Sequence, residues 1–406
     1  MKSVLPILFS VAFLDILGIG IVIPILPLVF FETPILAGAS IAQKTLMLGF
    51  LIASYPLAQF FGAPILGGLS DKYGRKKLLS FSVFGTFVGY LVFAWGLISN
   101  SLFMLFLGRI LDGFTGGNIS IARSIIADTS KGRDKVKNFG LIGMAFGLGF
   151  ILGPFVGGKL VNPTLGFGYP TPFFFAAALS FLNLIVIQLK LPETLKEKSN
   201  IVVTPFTGIK NIIKAMKLED LRTVFFSLFL FMFGWSMFTQ FFQVYLYDQF
   251  AYTTDQIGNL FGYIGLWIAF TQGAIVRPIS NKLEPKATLR IFLPITALGL
   301  LLLLVPNTPW YLYLIMPIIS VSNGILQPNF STLISNMTDR KSQGEIMGIQ
   351  QSILSLAQAI PPIIAAYVTT FDFSLPNILA AIFIFIGWFT VILTYKTLGR
   401  SKFAEA

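Results

Sequence analysis

Residues 67–77 read Gly67-Gly68-Leu69-Ser70-Asp71-Lys72-Tyr73-Gly74-Arg75-Lys76-Lys77. This stretch joins two apolar segments, residues 44–70 and 78–99, each long enough to cross a lipid bilayer as a helix. Glycine permits a tight turn, an aspartate can lie at a helix N-terminus, and cationic side chains can bind anionic headgroups. A basic turn that only fixes topology would explain the cations, but not the embedded Asp71 or the spaced glycines.

The composition predicts a chain whose surface faces lipid. Of the 406 residues, 55% are apolar and 11% are charged, whereas soluble domains contain about 25% charged residues. Because roughly 20 apolar residues cross the hydrocarbon core, the sequence predicts an all-α polytopic membrane protein with twelve transmembrane helices. We number these predicted spans 1 to 12: residues 4–31, 44–70, 78–99, 101–126, 138–160, 172–191, 222–249, 255–280, 286–306, 309–337, 344–369 and 374–398.

The chain contains neither cysteine nor histidine. This composition excludes the common zinc, haem and iron–sulfur sites and the Ser-His and Cys-His arrangements of hydrolases. We therefore expect a protein without a metal site or cofactor that is not an enzyme.

The formal net charge of +12 is explained by membrane topology. All lysines and arginines except Lys44, Lys159 and Arg109 lie on the side of the membrane that carries the N-terminus. The positive-inside rule therefore predicts two cytoplasmic termini in a bacterial inner (plasma) membrane, and no nucleic-acid partner. The first apolar run continues to Phe31 without a cleavage site, so we expect a retained span rather than a signal peptide.

A polar interval at residues 192–221 divides the chain into two sets of six spans. We predict an N-terminal bundle over residues 1–191, a cytoplasmic linker over 192–221 and a C-terminal bundle over 222–406. One offset along the chain aligns spans 4 and 10, which suggests duplication into two pseudo-equivalent six-helix bundles. The matching pairs are Gly113/Gly324, Asn118/Asn329, Ser120/Ser331 and Asp128/Asp339.

Residues 67–77 resemble the G-x-x-x-D-[RK]-x-G-[RK]-[RK] signature of the major facilitator superfamily. Span 1 has Leu14-Asp15-Ile16-Leu17-Gly18-Ile19-Gly20 followed by Pro24 and Pro27, and span 4 ends in Ser124-Ile125-Ile126-Ala127-Asp128-Thr129. With Pro192-Glu193-Thr194, these stretches are similar to the twelve-helix drug:proton antiporters and, among them, to tetracycline exporters. The resemblance implies a cytoplasmic gating motif made of Gly67, Asp71, Lys72, Gly74, Arg75, Lys76 and Asp128.

The resemblance also implies a latch between the two bundles. Asp71 would point at the N-terminus of span 11, near Gln343 and Gly344, where free N–H groups favour an anion. Arg75 would reach Asp128 and hold the loop in place.

Span 5 matches the antiporter signature G-x-x-x-G-P-x-x-G-G, with Gly149, Gly153, Pro154, Gly157 and Gly158 in its glycine and proline positions. Small residues at four-residue spacing let membrane helices approach closely, so packing alone could explain them. The Gly153-Pro154 pair also kinks the helix, which favours a hinge where the bundles meet.

Three charged residues lie deep in the membrane: Asp15, Arg109 and Asp112. Each costs roughly 3 kcal/mol near the bilayer centre, so each is a candidate for proton coupling. Arg109 and Asp112 share a helix face at i, i+3 and could form only a structural pair. Asp15 has no partner in its own helix, so burial favours its protonated form, although a role in helix packing is the alternative.

Two features depart from the tetracycline exporters. The exporters carry an acid in span 3, where this chain has Gly89, and they usually carry Gln or Ser where this chain has Asp112. A carboxylate therefore appears on span 4 instead of span 3. Spans 8 and 9 also lack the exporters' histidine and aspartate, so we expect a substrate other than metal–tetracycline.

The sequence thus predicts a proton-coupled antiporter that exports an amphipathic organic compound by alternating access, as a monomer. An uptake symporter or uniporter for a nutrient, metabolite or siderophore is the alternative on the same fold, and a non-transporting receptor is a third class. Amides in apolar helices either line the substrate cavity or bridge neighbouring helices. The candidate substrate-binding residues are Asn118, Gln240, Gln243, Gln272, Asn323, Gln327, Asn329 and Gln351.

Overall fold

A computed structural model describes residues 4–22, 25–129, 132–161, 168–195, 204, 206–218, 221–305, 308–337 and 343–394. Pro24 and Asp339 lie outside these described residues. Every regular element within them is helical, which confirms the predicted all-α fold. The α-helices are α1 (Val4–Val22), α2 (Leu26–Glu32), α3 (Ile41–Tyr73), α4 (Arg75–Ile98), α5 (Leu102–Thr115), α6 (Asn118–Thr129), α7 (Gly132–Leu160), α8 (Thr171–Lys190), α9 (Thr207–Lys217), α10 (Arg222–Phe250), α11 (Thr254–Phe270), α12 (Val276–Lys282), α13 (Pro285–Leu302), α14 (Leu312–Asn336), α15 (Gln343–Ala359), α16 (Pro361–Thr369) and α17 (Leu375–Leu393).

The helices have the length and surface of membrane spans. Among the described residues, nine helical segments are long and apolar enough to cross a bilayer. Large apolar side chains are exposed on them: Trp95 is 60% exposed, Phe103 70% and Leu393 67%. Such exposure is expected where lipid, not water, covers the protein, so the structure agrees with a polytopic membrane fold.

Several spans predicted as continuous helices are interrupted. Span 4 is broken at Gly116–Gly117. Span 8 contains a wide helical turn at Thr271–Ile275, and span 11 breaks before Pro361, whose ring nitrogen has no hydrogen to donate.

The break between α5 and α6 frees backbone groups that the protein satisfies internally. The Gln59 side-chain amide donates to the Gly116 carbonyl at 2.9 Å. The Gly117 N–H donates to the Ser82 hydroxyl at 3.2 Å, and that hydroxyl donates to the Thr115 carbonyl. Irregular backbone is tolerated at membrane depth where the protein supplies such partners.

The predicted linker is not entirely loop, because α9 occupies residues 207–217. The sequence predicted a linker here without assigning a helix to it. Apolar residues and lysines recur at helical spacing and give an amphipathic helix.

Contacts divide the chain into two units, which we describe separately. The N-terminal unit extends to Thr207 and includes Tyr252–Gly265, while the C-terminal unit comprises Gly208–Ala251 and the chain from Leu266. The domain limits predicted from the sequence, at residues 191 and 222, stay a prediction.

In the N-terminal unit, α1 packs along α7, and α4 packs against α5 and α8. Its core includes the fully buried side chains of Leu79, Ile125 and Ala145. In the C-terminal unit, α10 packs along α17, and α13 packs against α14 and α17. Aromatic rings join these helices, with Phe231 and Phe330 stacked at a centroid distance of 5.6 Å.

Candidate functional site

Asp15 lies on α1 in the interior of the N-terminal unit, where it is 8% exposed. The side-chain amide of Asn118, the first residue of α6, donates to Asp15 Oδ1 at 2.6 Å. The other oxygen, Oδ2, is buried and accepts no hydrogen bond from the described residues. One oxygen of this carboxylate is therefore stabilised by a donor, and the other is available to carry a proton.

Asp112 belongs to the same cluster, although it is far from Asp15 in sequence. The Asn118 amide also lies 3.5 Å from the Thr86 hydroxyl on α4, and Thr86 lies beside the Asp112 carboxylate. Asp112 is 4% exposed. Asn118 and Thr86 therefore join the two buried carboxylates through side chains from four helices. The structure groups Asn118 with the predicted proton-coupling residues rather than with the other predicted substrate amides.

Arg109 is also buried, at 8% exposed, but its main contact is aromatic. Its guanidinium lies 4.5 Å from the centroid of the Tyr55 ring, a cation–π contact. Its Nε has no hydrogen-bond partner among the described residues. The ion pairs of the described residues do not include Arg109 with Asp112, although the two charges still interact electrostatically. The structural pair and the role in proton coupling both stay predictions.

Glycines on α1, α4 and α5 make room for this cluster. A side-chain carbon on Gly89 would lie 2.8 Å from Asp112 Cβ and 2.9 Å from the Gly108 carbonyl. A side chain on Gly18 would overlap the Tyr90 hydroxyl. Gly18 thus admits a tyrosine of a neighbouring helix, and Gly89 admits Asp112.

A small crevice adjoins the cluster and is lined by Gly89, Tyr90, Arg109 and Asp112, among others. The crevice is too narrow to hold even a water molecule. It therefore offers no space for an organic substrate in this structure.

The basic turn of the N-terminal unit is organised around Arg75, which is only 6% exposed. Its guanidinium contacts Asp71 at 2.5 Å, Asp128 at 2.9 Å and the Ser70 hydroxyl at 2.6 Å. The predicted contact between Arg75 and Asp128 is therefore confirmed. The contact of Asp71 with the N-terminus of α15 stays a prediction.

Glu193 completes this turn, and the sequence did not assign it a role. Its carboxylate accepts hydrogen bonds from the N–H groups of Arg75 at 3.0 Å and Lys76 at 3.2 Å, the first two residues of α4. Gly74 has a φ of 110°, which favours glycine, and a side chain there would lie 2.5 Å from Glu193 Oε2. An acid directly after span 6, on the same predicted side of the membrane as a strongly basic turn, was the available signal.

The span 5 glycines let α7 approach α1. Side-chain carbons at Gly149, Gly153 and Gly157 would meet Ile16, Gly20 and Ile21 respectively, at 2.7–2.8 Å. Close packing therefore accounts for their positions, and the hinge stays a prediction.

The C-terminal end of the same helix contacts the segment Tyr252–Gly265 of the N-terminal unit. A side-chain carbon on Gly258 would lie 2.7 Å from the Pro154 carbonyl, and Lys159 forms an ion pair with Asp255 at 2.7 Å.

The remaining predicted substrate residues lie in the C-terminal unit. Gln240 donates to the Ser236 hydroxyl at 2.7 Å, and Gln243 donates to the Gln240 carbonyl at 2.7 Å. Asn329 donates to the Ile325 carbonyl at 2.8 Å, so these amides bond within their own helices. Gln243 Oε1 and Asn323 Oδ1 are buried without a partner among the described residues. Gln272, Gln327 and Gln351 are half-buried.

Comparison with known proteins gives relatives across nearly the whole chain. The family model described as Major Facilitator Superfamily matches residues 8–362 and 224–405. The chain is 31% identical to the class H tetracycline resistance protein of Pasteurella multocida, over 91% of this chain and 90% of that protein. It is 30% identical to the class C tetracycline resistance protein of Escherichia coli, over 89% of each. The crystal structure of the human organic anion transporter MFSD10 (TETRAN) has the same fold, with a TM-score of 0.77 at 23% identity, covering 96% of this chain and 99% of that one.

Proposed function

Because the chain belongs to the major facilitator superfamily, a family of membrane transporters, we propose that it is a proton-coupled antiporter that exports an amphipathic organic compound. The superfamily and the likeness to tetracycline exporters predicted from the sequence are confirmed. The observation that carries the proposal is the buried pair Asp15 and Asp112, joined through Asn118 and Thr86.

The proton step needs a carboxylate that is neutral in one state and ionised in another. The proton is held on Asp15 Oδ2, the buried oxygen without a donor. When the proton leaves, the Asn118 amide at 2.6 Å stabilises the negative charge on Oδ1. Thr86 connects the same amide to Asp112, which gives the proton a second acceptor. Arg109 lies one helical turn before Asp112 on α5. Its positive charge stabilises the ionised form of the carboxylates in the cluster.

The substrate binds elsewhere in this proposal, because the crevice beside Asp112 is too small for an organic molecule. The side-chain oxygens of Gln243 and Asn323, which have no partner among the described residues, offer acceptors in an apolar C-terminal unit. This arrangement suits a weakly polar, amphipathic solute. Alternating access then exchanges substrate and proton as the bundles rock, with the span 5 glycines as hinge and residues 67–77 as cytoplasmic latch. The protein works as a monomer in a bacterial inner membrane with both termini in the cytoplasm.

The direct test is the Asp15→Asn variant, which keeps the shape of the side chain and cannot exchange a proton. A thermal-shift screen of the purified protein against drugs, including tetracycline, and metabolites first supplies a substrate. In everted vesicles with an imposed proton gradient, wild type should accumulate that substrate uphill, whereas Asp15→Asn should exchange it only downhill. Uphill accumulation by Asp15→Asn would contradict the assignment. Accumulation by wild type only under the opposite gradient would identify an uptake symporter.

A further inference from the structure

The linker helix α9 carries an apolar stripe that the protein leaves uncovered. Ile209, Ile213 and Met216 are 41%, 52% and 57% exposed, and Phe206, directly before the helix, is 61% exposed. Their spacing of three, four and three residues places them on one side of the helix. We call these four side chains the apolar stripe.

Lysines line the side of α9 next to the apolar stripe. Lys210, Lys214 and Lys217 are exposed and recur at spacings of four and three residues, and the helix contains no acidic residue. At 100° per residue, the lysines are centred roughly 90° around the helix from the apolar stripe. The side opposite the exposed residues is the buried one, with Gly208 and Ala215.

One contact holds α9 beside α15. The Asn211 amide donates to the Ser352 hydroxyl on α15 at 2.9 Å. Ser352 is the fifth residue of Gly348–Thr369, a segment that is long and apolar enough to cross a membrane. The contact therefore places α9 beside one end of that segment.

We infer that α9 lies in the membrane surface, with its apolar stripe among the acyl chains and its lysines bound to anionic phospholipid headgroups. An interfacial helix has this combination of an apolar side, a lysine-rich side and low overall hydropathy. Each lysine near an anionic surface strengthens binding by about fivefold. Charge complementarity therefore favours lipid over an apolar protein partner, which would offer no opposite charge to Lys210 and Lys217. The inference depends on the membrane fold and not on the proton step or the substrate.

Site-directed spin labelling tests this placement in the full-length protein, because the chain has no native cysteine. Single cysteines replace Ile213 on the apolar stripe and Lys217 on the lysine side, and Phe181→Cys on α8 supplies a lipid-exposed reference. The labelled proteins are reconstituted into phosphatidylcholine vesicles with or without phosphatidylglycerol. Collision rates with oxygen, which concentrates in lipid, and with water-soluble nickel ethylenediaminediacetate are then compared.

We expect the oxygen-to-nickel ratio at residue 213 to be near that at residue 181 and several-fold above that at residue 217. Phosphatidylglycerol should raise the ratio at residue 213, and the variant Lys210→Gln/Lys214→Gln/Lys217→Gln should lose that increase. High nickel access at residue 213 in both lipids would overturn the inference, as would low access to both reagents, which indicates coverage by protein. A ratio independent of phosphatidylglycerol would overturn the role of the lysines.

Discussion

The Asn118 amide offers the sharpest test of the proton site, because it donates the short hydrogen bond to Asp15. The Asn118→Ala variant removes a donor at 2.6 Å from Oδ1 and leaves an ionised Asp15 without a partner. Hydrogen bonds to charged groups contribute about 1.5–3 kcal/mol. Since 1.36 kcal/mol corresponds to a factor of ten, the ionised form should become about 10–100 times less populated.

The assay compares two kinds of transport in the same vesicles. Uphill accumulation driven by a proton gradient requires Asp15 to release its proton in every cycle, so it should fall by about one to two orders of magnitude if ionisation limits turnover. Downhill exchange of labelled for unlabelled substrate needs no net proton release and should be largely retained.

Asn183→Ala is the matched control. Asn183 is also a buried amide, 4% exposed, and its Oδ1 accepts a hydrogen bond from Ser10 on α1 at 3.2 Å. This bond involves no carboxylate, so its loss should cost only about 0.5–1.5 kcal/mol of stability and leave coupling intact. Equal losses of uphill transport in the two variants would show that packing on α1, not the ionisation of Asp15, explains the effect. Wild-type accumulation by Asn118→Ala would remove the amide from the proton step.

Two further predictions concern packing and the basic turn. Gly153→Ala places a carbon 2.7 Å from Gly20 Cα, so it should destabilise the protein by about 1–3 kcal/mol, whereas Gly348→Ala, with nothing within 4 Å, should not. Thermal unfolding of the purified proteins measures the difference, and equal midpoints would contradict the close contact of α1 with α7. Glu193→Gln removes the negative charge at the N-terminus of α4 and should cost about 0.3–1 kcal/mol and increase protease access to the turn. Glu32→Gln, which removes an acid bonded to the Tyr169 hydroxyl instead, should leave protease access unchanged.

The helices could be predicted from sequence because apolar runs of membrane length leave few alternatives. Their interruptions could not, since glycines such as Gly116 and Gly117 are common inside membrane helices and only Gln59 and Ser82 show that a break is satisfied there. No helix was predicted in the linker, because the segment was identified by its polar composition and not by the spacing of its apolar residues.

The charged residues of the site could be predicted from the sequence, but the side chains that they contact could not. Asp15, Arg109 and Asp112 are conspicuous because charges are costly in an apolar helix. Which neighbours they meet depends on the rotation of each helix about its axis. Since α1 is apolar on all sides, its pattern does not define the direction of Asp15. The bond to Asn118, 103 residues away, therefore emerged only from the structure.

The position of Asp112 shows how the missing span 3 carboxylate can be replaced without changing the chemistry. A side chain at residue 89 would enter the space that Asp112 Cβ occupies, because α4 and α5 touch at Gly89 and Gly108. A carboxylate attached to either helix would thus lie in the same small volume beside Thr86 and Arg109. Two acids there would bring like charges together in a buried site, which is strongly unfavourable. Glycine at residue 89 is therefore compatible with an aspartate at residue 112. In the proton step that we propose, one carboxylate near Arg109 is sufficient, whichever of the two helices carries it.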